Sequence, residues 1–470
     1  MTENLENKLV QHKKFVPWII TIALFMETLD MTILNNAVPA IAQHLNEHPL
    51  NLKLALTSYL ISLGILIPIS GALADKFGSK EILTFGVLLF GLGSCLCGIS
   101  DSLYGLVLAR ILQGAGGALM MPVCRLILLK SYAKSEIVGI TNYATLPSLL
   151  GPALGPVIGG IIVTYFSWRW IFFINIPFCF ILLYMIYSFT ITLKEEDNNK
   201  LDIQGFIFCS LGLSVAIFTL EAASESFFTI TTYYILIFVS VIFIILYLYF
   251  SSNKSNPFIN PKLFKSRTFT VTVMGSFFSR LGIGGIPFLI PLLLQINHNF
   301  SPLKSGFYVV FYAFAMICAK FFVKKILRMI GFRNALIINT TLIGITIAGF
   351  SVIVNIITPA VIIMMIFLNG FFTSIQFSCM NVLSYIDLEE EIMSNGTSIG
   401  SALQQLSMGF GITFLAFLLK IQDPNNNLID HNAYNFTIYS LSLCLLFSSF
   451  IFLMLDKNAG SKASGYVYKR

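Results

Sequence analysis

The chain has 470 residues, of which 56% are hydrophobic and only 11% charged, and its mean hydropathy is +0.82. Soluble domains carry about 25% charged residues, so this chain has too little charge to cover a water-exposed surface, and its outer face must contact lipid. The net charge of +7 is what basic cytoplasmic loops give a membrane protein, and it argues against nucleic acid as a partner. The eight cysteines lie in apolar stretches without metal-ligand spacing, so we expect no metal, no cofactor and no disulfide framework.

Apolar stretches long enough to cross a membrane, at about 20 residues each, recur fourteen times along the chain. The predicted spans are 16–40, 52–73, 81–100, 102–124, 138–164, 168–193, 202–222, 230–250, 268–295, 303–323, 334–356, 358–384, 396–420 and 434–455. The first stretch is longer than the roughly 7–15 apolar residues of a signal peptide. We therefore interpret it as a retained first helix.

Two polar breaks, 193–200 and 251–267, isolate spans seven and eight as an inserted pair. The predicted fold class is therefore an all-α membrane protein of two six-helix bundles plus two inserted helices. The predicted domains are an N-terminal bundle (1–193), the inserted pair with its linkers (194–267), a C-terminal bundle (268–456) and a tail (457–470). Two equal halves around a site at mid-membrane are typical of transporters.

The distribution of basic residues orients these spans. If the N-terminus is cytoplasmic, the outside loops hold four basic residues, Lys53, Arg169, Lys304 and Lys420, while most of the others fall in inside segments. Positive residues near helix ends remain cytoplasmic. We therefore predict a multi-pass protein of the cell membrane, inner or plasma, with both termini cytoplasmic and an even number of spans.

Opposite charges lie within spans one and four. A buried arginine costs at least about 2.5–3.5 kcal/mol and needs an interior partner. At 1.5 Å per residue, Arg110 lies about 12 Å and Asp30 about 15 Å from the outer surface, so we expect them to meet, with Glu27 on the same helical face as Asp30. We also expect both groups to face a water-accessible cleft between the bundles.

This pair has two interpretations. One is a static contact that only holds two helices together. The other is proton coupling, because burial disfavours a charged carboxylate, a nearby arginine favours it, and moving the arginine switches the proton on or off. We predict Asp30 as the proton carrier, with Arg110 as its partner, and Glu27 as the second candidate for the same function.

The loop after span two, GALADKFGSK, is predicted to act as a conformational gate. Its candidate residues are Gly71, Asp75, Lys76, Gly78 and Lys80. The anionic Asp75 would dock on a helix N-terminus near Ser394 in the other half, although an ordinary basic loop is an alternative. The loop after span ten also places basic residues around a glycine, Gly331, which indicates internal duplication.

Span five contains LPSLLGPALGPVIGG. The predicted antiporter-helix residues are Gly151, Pro152, Gly155, Pro156, Gly159 and Gly160. A glycine every fourth residue makes a smooth packing stripe, and the prolines remove backbone donors and loosen the helix. A generic helix contact is the alternative to a bendable helix at the interface between the halves.

Further polar residues within the spans are candidates for a substrate cavity. They are Gln113, Arg280, Gln295, Gln376, Asn381 and Gln404. Structural hydrogen bonds between helices are an equal explanation for the amides. Arg280 has no obvious acidic neighbour, which leaves carbonyl bonding, pairing across the halves or contact with an anionic substrate open.

Motifs for chemistry are absent from the sequence. It contains no GxxxxGK[ST] phosphate loop, so ATP-driven transport within this chain is not expected. It also lacks a nucleophile elbow and an HExxH site. We therefore predict neither an enzyme nor a receptor with a soluble signalling domain.

Five N-terminal segments occur in one order, and two more follow in the C half. They are LDMTILNNAVPAIA, GALADKFGSK, ARILQGAGGA, LLGPALGPVIGG and WRWIFFINIPF, then FLIPLLLQ and SNGTSIGSALQQLSMGFG. Over nearly the whole chain this resembles the major facilitator superfamily and, within it, the 14-spanner drug:proton antiporter family. The C-half segments are similar to the multidrug exporter subgroup called MdtD.

The resemblance implies functions for these residues. It assigns Asp30 and Arg110 to proton coupling, the loop around Asp75 to the state closed to the cytoplasm, and the Gly-Pro helix to antiport. Ser79 departs from the loop motif, which usually has a basic residue there. The expected protein is a monomeric, proton-coupled exporter of amphipathic small molecules that works by alternating access. A carrier for one metabolite, such as an organic acid or siderophore, is the alternative.

Overall fold

The structure is a computed structural model. It describes residues 2–132, 150–190, 202–225, 229–251, 254, 257, 261–355, 358–385, 388, 390–422, 431–461 and 466. Within these ranges the regular secondary structure is helical and contains no strand. This follows from long apolar segments, because a helix satisfies its backbone hydrogen bonds within one segment where no water is present.

The first half of the chain forms ten α-helices in its described part. They are α1 (Thr2–Ile33), α2 (Val38–Leu45), α3 (Lys53–Phe77), α4 (Ser79–Gly98), α5 (Leu103–Ser131), α6 (Leu150–Tyr165), α7 (Trp170–Phe173), α8 (Asn175–Phe189), α9 (Ile203–Glu225) and α10 (Ile230–Ser251). The α5 helix begins where the Ser102 hydroxyl accepts a hydrogen bond from the Gly105 amide at 3.1 Å, a common N-cap.

The second half continues with six α-helices over the residues described there. They are α11 (Arg267–Gly284), α12 (Ile286–Leu292), α13 (Pro302–Asn355), α14 (Pro359–Leu383), α15 (Glu390–Gln422) and α16 (His431–Phe452). A π-helical turn, Leu293–Asn297, follows α12. Pro302 and Pro359 begin their helices, where the missing proline N–H has no partner to lose.

Eleven helices in the described ranges are long and apolar enough to cross a membrane. The predicted count of fourteen is therefore not confirmed. Predicted spans five and seven overlap two shorter apolar helices, Leu154–Tyr165 and Ile203–Ala216, and span five is described only from residue 150. Predicted spans ten and eleven form a single apolar stretch, Pro302–Val354, of 53 residues.

Two glycines, Gly78 and Gly331, interrupt the helices. They lie in the two loops that the sequence analysis identified as similar. Gly78 has φ 105° and ψ 136° between α3 and α4, and Gly331 has φ 74° and ψ 171° inside α13. Side chains disfavour positive φ, whereas glycine adopts it freely. Each turn therefore ends one long helical segment and begins the next, which supports an internal repeat.

The chain divides into two compact units. The N-terminal unit comprises Met1–Ala216 and Tyr234–Phe258, and the C-terminal unit comprises Ile217–Tyr233 and Ile259–Arg470. Most of α9 and α10 therefore belongs to the N-terminal unit. The four-part domain division drawn from the sequence stays a prediction.

The inserted helices are fastened to each other at one end. The Asp202 carboxylate, just before α9, accepts hydrogen bonds from the Gly205 amide at 2.8 Å, the Ser251 hydroxyl at 2.7 Å and the Lys254 ammonium at 2.6 Å. Ser251 and Lys254 lie at the end of α10 and just beyond it. One buried carboxylate thus joins the start of α9 to the end of α10.

The positive φ at Gly78 generates a prediction for stability. Gly78→Ala is expected to lower the apparent melting temperature of the purified protein, because a side chain at that φ costs about 1–3 kcal/mol. Gly71→Ala is the matched control, since a Cβ there meets no atom within 4 Å and alanine favours a helix. Equal melting temperatures for the two variants would contradict the assigned turn.

Candidate functional site

A buried ion pair lies inside the N-terminal unit. Arg110 Nη1 on α5 donates to Asp30 Oδ2 on α1 at 2.6 Å, and each residue is 1% exposed. The guanidinium Nε also donates to the Ala55 carbonyl on α3 at 3.2 Å. The contact between Asp30 and Arg110 expected from their depths is therefore present, and it joins three helices.

Amide and hydroxyl groups complete this ion pair. Gln113 Oε1 accepts from Arg110 at 2.7 Å, while Gln113 Nε2 donates to Asp30 Oδ1 at 2.8 Å and to the Ser94 hydroxyl at 2.7 Å. Asn175 Nδ2, at the start of α8, donates to the same Asp30 oxygen at 2.8 Å. Both Asp30 oxygens are thereby satisfied, as a buried carboxylate requires.

Close helix packing brings these groups together. A Cβ on Gly93 of α4 would lie 2.6 Å from the Gln113 backbone, and one on Gly114 of α5 would lie 2.6 Å from the Tyr59 carbonyl. Neither position accepts a side chain, so α5 approaches α3 and α4 directly. The Tyr59 ring then stacks beneath the Arg110 guanidinium at 4.1 Å, a favourable cation–π contact.

Glu27 lies one helical turn before Asp30, but its carboxyl group lacks the hydrogen-bond donors that surround Asp30. It is 1% exposed, and neither of its carboxylate oxygens has a hydrogen-bond partner among the described residues. Two acids on one face of α1 therefore have opposite surroundings. Asp30 is held by several donors, whereas Glu27 is buried without any.

The expectation of a water-accessible cleft at this pair is wrong for the conformation described. Asp30 and Arg110 both belong to the N-terminal unit and are almost completely buried. The reason is that neighbouring polar side chains, rather than water, satisfy the two charges. The network as it stands is closed to solvent.

The glycine stripe of α6 packs against α1 within the same unit. A Cβ on Gly151 would overlap Thr28, one on Gly155 would overlap Thr32, and one on Gly159 would lie 2.6 Å from the Ile33 carbonyl. The helix that carries Asp30 and the predicted antiporter helix are therefore in backbone contact. A position of α6 between the halves stays a prediction.

Polar groups of α1 and of the turn that follows it also bond to carbonyls of α6. Thr32 donates to the Gly151 carbonyl at 3.2 Å, and Asn36 donates to the Pro156 carbonyl at 3.1 Å. Pro156 cannot donate to the helix, so its neighbourhood has fewer internal bonds. Pro152 and Gly160 lie on the same helix.

The predicted gate residues surround the turn between α3 and α4. Gly71, Asp75 and Lys76 lie in the last two turns of α3, and Lys80 lies in the first turn of α4. Lys80 Nζ donates to the Tyr187 carbonyl of α8 at 3.0 Å. The helix start expected near Ser394 lies earlier, because α15 begins at Glu390. Docking of Asp75 in the other half stays a prediction.

In the C-terminal unit, Arg280 lines a small cavity. Its Nη2 donates to Asn381 Oδ1 at 2.9 Å and its guanidinium lies 4.6 Å from the Phe377 ring centre. Its Nη1 is buried without a partner among the described residues. Asn381 and Gln404 line the same cavity, so three of the six predicted cavity residues are brought together.

The other three predicted cavity residues lie elsewhere. Gln113 belongs to the Asp30 network. Gln376 is fully buried and joins α14 to α13, since it accepts from Asn339 at 3.0 Å and donates to Thr340 at 2.7 Å. Gln295 lies in the half-buried π-helical turn.

Sequence reasoning missed three contributors to the Asp30 network: Ser94, Asn175 and the Ala55 carbonyl. Asn175 had a usable signal, because it is an amide inside the apolar run FFINIPF and a polar group in a span needs an interior partner. Ser94 resembles any small residue of a span. A backbone carbonyl leaves no trace in a residue pattern.

A membrane chain that is helical over its described ranges, with a buried charge network in one unit and a polar cavity in the other, has the design of a secondary transporter. The sequence model of the Major Facilitator Superfamily matches residues 20–412. The chain belongs to this superfamily, and it is a multi-pass membrane transporter rather than an enzyme.

Curated relatives agree with the resemblance to the MdtD subgroup. "Putative multidrug resistance protein MdtD" of Escherichia coli (strain K12) is 34% identical over 443 residues, which is 93% of each chain. The protein of that name from Shigella boydii serotype 18 (strain CDC 3083-94 / BS512) matches equally. Among solved structures, a D-xylose–proton symporter has the same fold, with a TM-score of 0.66 at 15% identity, covering 94% of this chain and 97% of that one.

The buried pair generates a prediction for stability. Arg110→Ala leaves Asp30 without its counter-charge and is expected to destabilise the protein by about 3–5 kcal/mol, measured as a lower apparent melting temperature. The double variant Asp30→Asn with Arg110→Gln removes both charges and is expected to recover part of the loss.

Arg169→Ala is the matched control for Arg110→Ala. Arg169 also bonds an aspartate in the same unit, but that partner, Asp101, is 86% exposed, and exposed pairs contribute only about 0–1 kcal/mol. If both arginine variants melted at the same temperature, the buried network would contribute no more to stability than the exposed pair does.

The contact between α6 and α1 generates a further prediction. Gly155→Val is expected to lower the apparent melting temperature strongly, because its side chain would overlap Thr32 and push the helices apart. Leu154→Ala, on the exposed side of α6, is expected to change it little. If Gly155→Val had the same melting temperature as the unaltered protein, the close packing of α6 against α1 would be contradicted.

Proposed function

We propose that this chain is a proton-coupled antiporter that exports amphipathic small molecules across the cell membrane. In this proposal fourteen helices cross the membrane, both termini are cytoplasmic, and the two halves alternate access to a shared substrate site. The observation that carries the proposal is the buried Asp30–Arg110 pair with the unpartnered acid Glu27 one turn away.

A transporter that uses a proton gradient needs an acid whose proton is exchanged as the protein changes conformation. Burying an anionic carboxylate without a donor is far more costly than burying the neutral acid. Glu27 is therefore the acid that this proposal assigns a proton in the described conformation, while the Asp30 carboxyl is held by Arg110, Gln113 and Asn175. The two acids together form the proposed proton-coupling site.

Release of the proton follows from a change in these contacts. If helix movement admits water at α1, Glu27 is solvated and can ionise, because the cost of its charge falls. If Arg110 leaves Asp30, the Asp30 carboxyl loses its counter-charge. Movement of α1 accompanies movement of α6, since the glycine stripe holds the two helices in direct contact.

Export of varied small molecules is supported by three separate features. The curated relatives bear the name of a multidrug resistance protein. The Gly-Pro helix matches a pattern that the resemblance associates with antiport. The sequence has no phosphate loop for ATP, so an ion gradient is the energy source that remains.

The loop between α3 and α4 is proposed to stabilise the conformation that is closed to the cytoplasm. Its turn depends on the positive φ of Gly78, and Lys80 donates a hydrogen bond to the Tyr187 carbonyl of α8. Asp75 then provides the negative charge that docks on a helix N-terminus of the other half.

Exchange of the acids by their amides tests the proton-coupling site. Asp30→Asn and Glu27→Gln are each expected to abolish substrate-driven proton movement in everted membrane vesicles, measured by quenching of a pH-sensitive dye. Glu27→Gln mimics the protonated acid, so its apparent melting temperature is expected to equal that of the unaltered protein. Asp101→Asn, an exposed acid of the same unit, is the control and is expected to exchange protons normally.

A panel of cationic, neutral and anionic amphipathic compounds, assayed in the same vesicles, tests how broad the substrate range is. Proton exchange driven by several unrelated compounds supports an exporter, whereas a response to one compound supports the alternative, a carrier for a single metabolite.

Full proton exchange in both amide variants, Asp30→Asn and Glu27→Gln, would remove Glu27 and Asp30 from the mechanism.

A further inference from the structure

Arg280 is a cation buried in a unit whose membrane spans offer no acid. The sequence contains neither aspartate nor glutamate in residues 268–386, 392–422 or 431–455, which hold all the C-terminal spans. An arginine remains charged in proteins. Its positive charge therefore has no counter-ion from the spans of its own unit.

Arg280 has fewer hydrogen-bond acceptors around it than Arg110 has. Arg110 has a carboxylate, a glutamine oxygen and a backbone carbonyl within hydrogen-bond distance. Arg280 has one amide oxygen, that of Asn381, and the face of the Phe377 ring. It is 3% exposed, and its Nη1 has no partner among the described residues, so a strong donor is left open.

The open donor belongs to a cavity with a second unsatisfied group. Ser276 lies one turn before Arg280 on α11, is 9% exposed, and its hydroxyl also has no partner within the described structure. Ser276 and Arg280 line the cavity together. Two buried donors one turn apart are suited to the two oxygens of one carboxylate, which forms paired bonds with a guanidinium.

The remaining wall of the cavity contains both polar and apolar side chains. The apolar ones are Val273, Phe277 and Leu403, and the polar ones are Asn381, Ser384, Tyr385, Gln404 and Ser407. The three apolar side chains offer a surface for a hydrocarbon or aromatic body, while the polar groups orient its charged end. The cavity thus combines an anion-binding end with a smaller apolar surface.

We propose that the Arg280 cavity binds the carboxylate of an amphipathic monoanion, so that the substrates of this transporter include organic acids with an apolar or aromatic body. The inference rests on the proposed transport function, because it assigns a substrate class to that function. The carboxylate bonds Arg280 Nη1 and the Ser276 hydroxyl, and the apolar body lies against Phe277 and Leu403. The bound anion supplies the missing counter-charge.

Matched acids and amides test this assignment. The probes are benzoate and benzamide, indole-3-acetate and indole-3-acetamide, and decanoate and decanamide. Their dissociation constants are measured with the full chain in lipid nanodiscs from ligand-induced shifts in melting temperature. At least one acid is expected to bind roughly tenfold more tightly than its amide, the factor associated with a charge-assisted hydrogen bond.

Two variants assign this preference to Arg280. Arg280→Gln removes the charge and is expected to bring the acid and its amide to equal affinity. Asn381→Asp places a carboxylate at the existing 2.9 Å contact, so it occupies the guanidinium and is expected to abolish acid binding without loss of thermal stability. The second variant keeps the test valid if the first does not fold.

Arg267→Gln is the control, because Arg267 is an exposed arginine of the same unit that pairs with Asp456. It is expected to keep the preference for acids. The proposal is overturned if no acid binds more tightly than its amide to the unaltered protein, or if the preference persists in Arg280→Gln or in Asn381→Asp.

These measurements are made at equilibrium without a proton gradient. If proton exchange at Glu27 and Asp30 is disproved, a result of acid binding at Arg280 therefore remains valid. Failure of acid binding equally leaves proton-coupled export of other compounds intact. The two proposals can be rejected separately.

Discussion

The cost of placing an ionised side chain inside a membrane governs the N-terminal unit. A single arginine, Arg110, requires compensation from within the protein because hydrocarbon supplies none. The compensation comes from five helices, through Asp30 of α1, the Ala55 carbonyl of α3, Ser94 of α4, Gln113 of α5 and Asn175 of α8. The relative positions of these helices are consequently coupled to one charge.

Small residues make that coupling possible. The glycines of α4, α5 and α6 let backbones approach to distances that a methyl group would prevent, and membrane helices associate through such contacts because no hydrophobic force acts between them in lipid. The helix with the two acids, α1, is packed against the helix with the Gly-Pro repeat, α6. The contacts of α6 therefore fall on Thr28, Thr32 and Ile33 of the same helix that carries Glu27 and Asp30.

The two arginines show how burial can serve different purposes. Arg110 is satisfied by its own bundle, and its charge is used to hold a carboxylate. Arg280 is nearly as buried but keeps an open donor beside an open hydroxyl. A buried donor without an acceptor is costly and calls for an explanation, which the proposed anion site provides.

The sequence by itself determined the class of the protein and much of its outline. Apolar stretches predicted the membrane helices, motif order predicted the superfamily, and helical rise predicted the contact between Asp30 and Arg110. Each of these depends on local composition or on distance along one helix. The turn at Gly331 was likewise indicated by its resemblance to the loop around Gly78.

The tertiary structure alone decided which polar groups meet. It placed Gln376 in bonds with Asn339 and Thr340 and brought Asn175 to Asp30. Among the residues that the structure describes, it also left Glu27 without a donor and buried the ion pair. The physical reason is that the partner of a side chain depends on how each helix is rotated and how closely it packs. Hydropathy and spacing along the chain contain neither quantity.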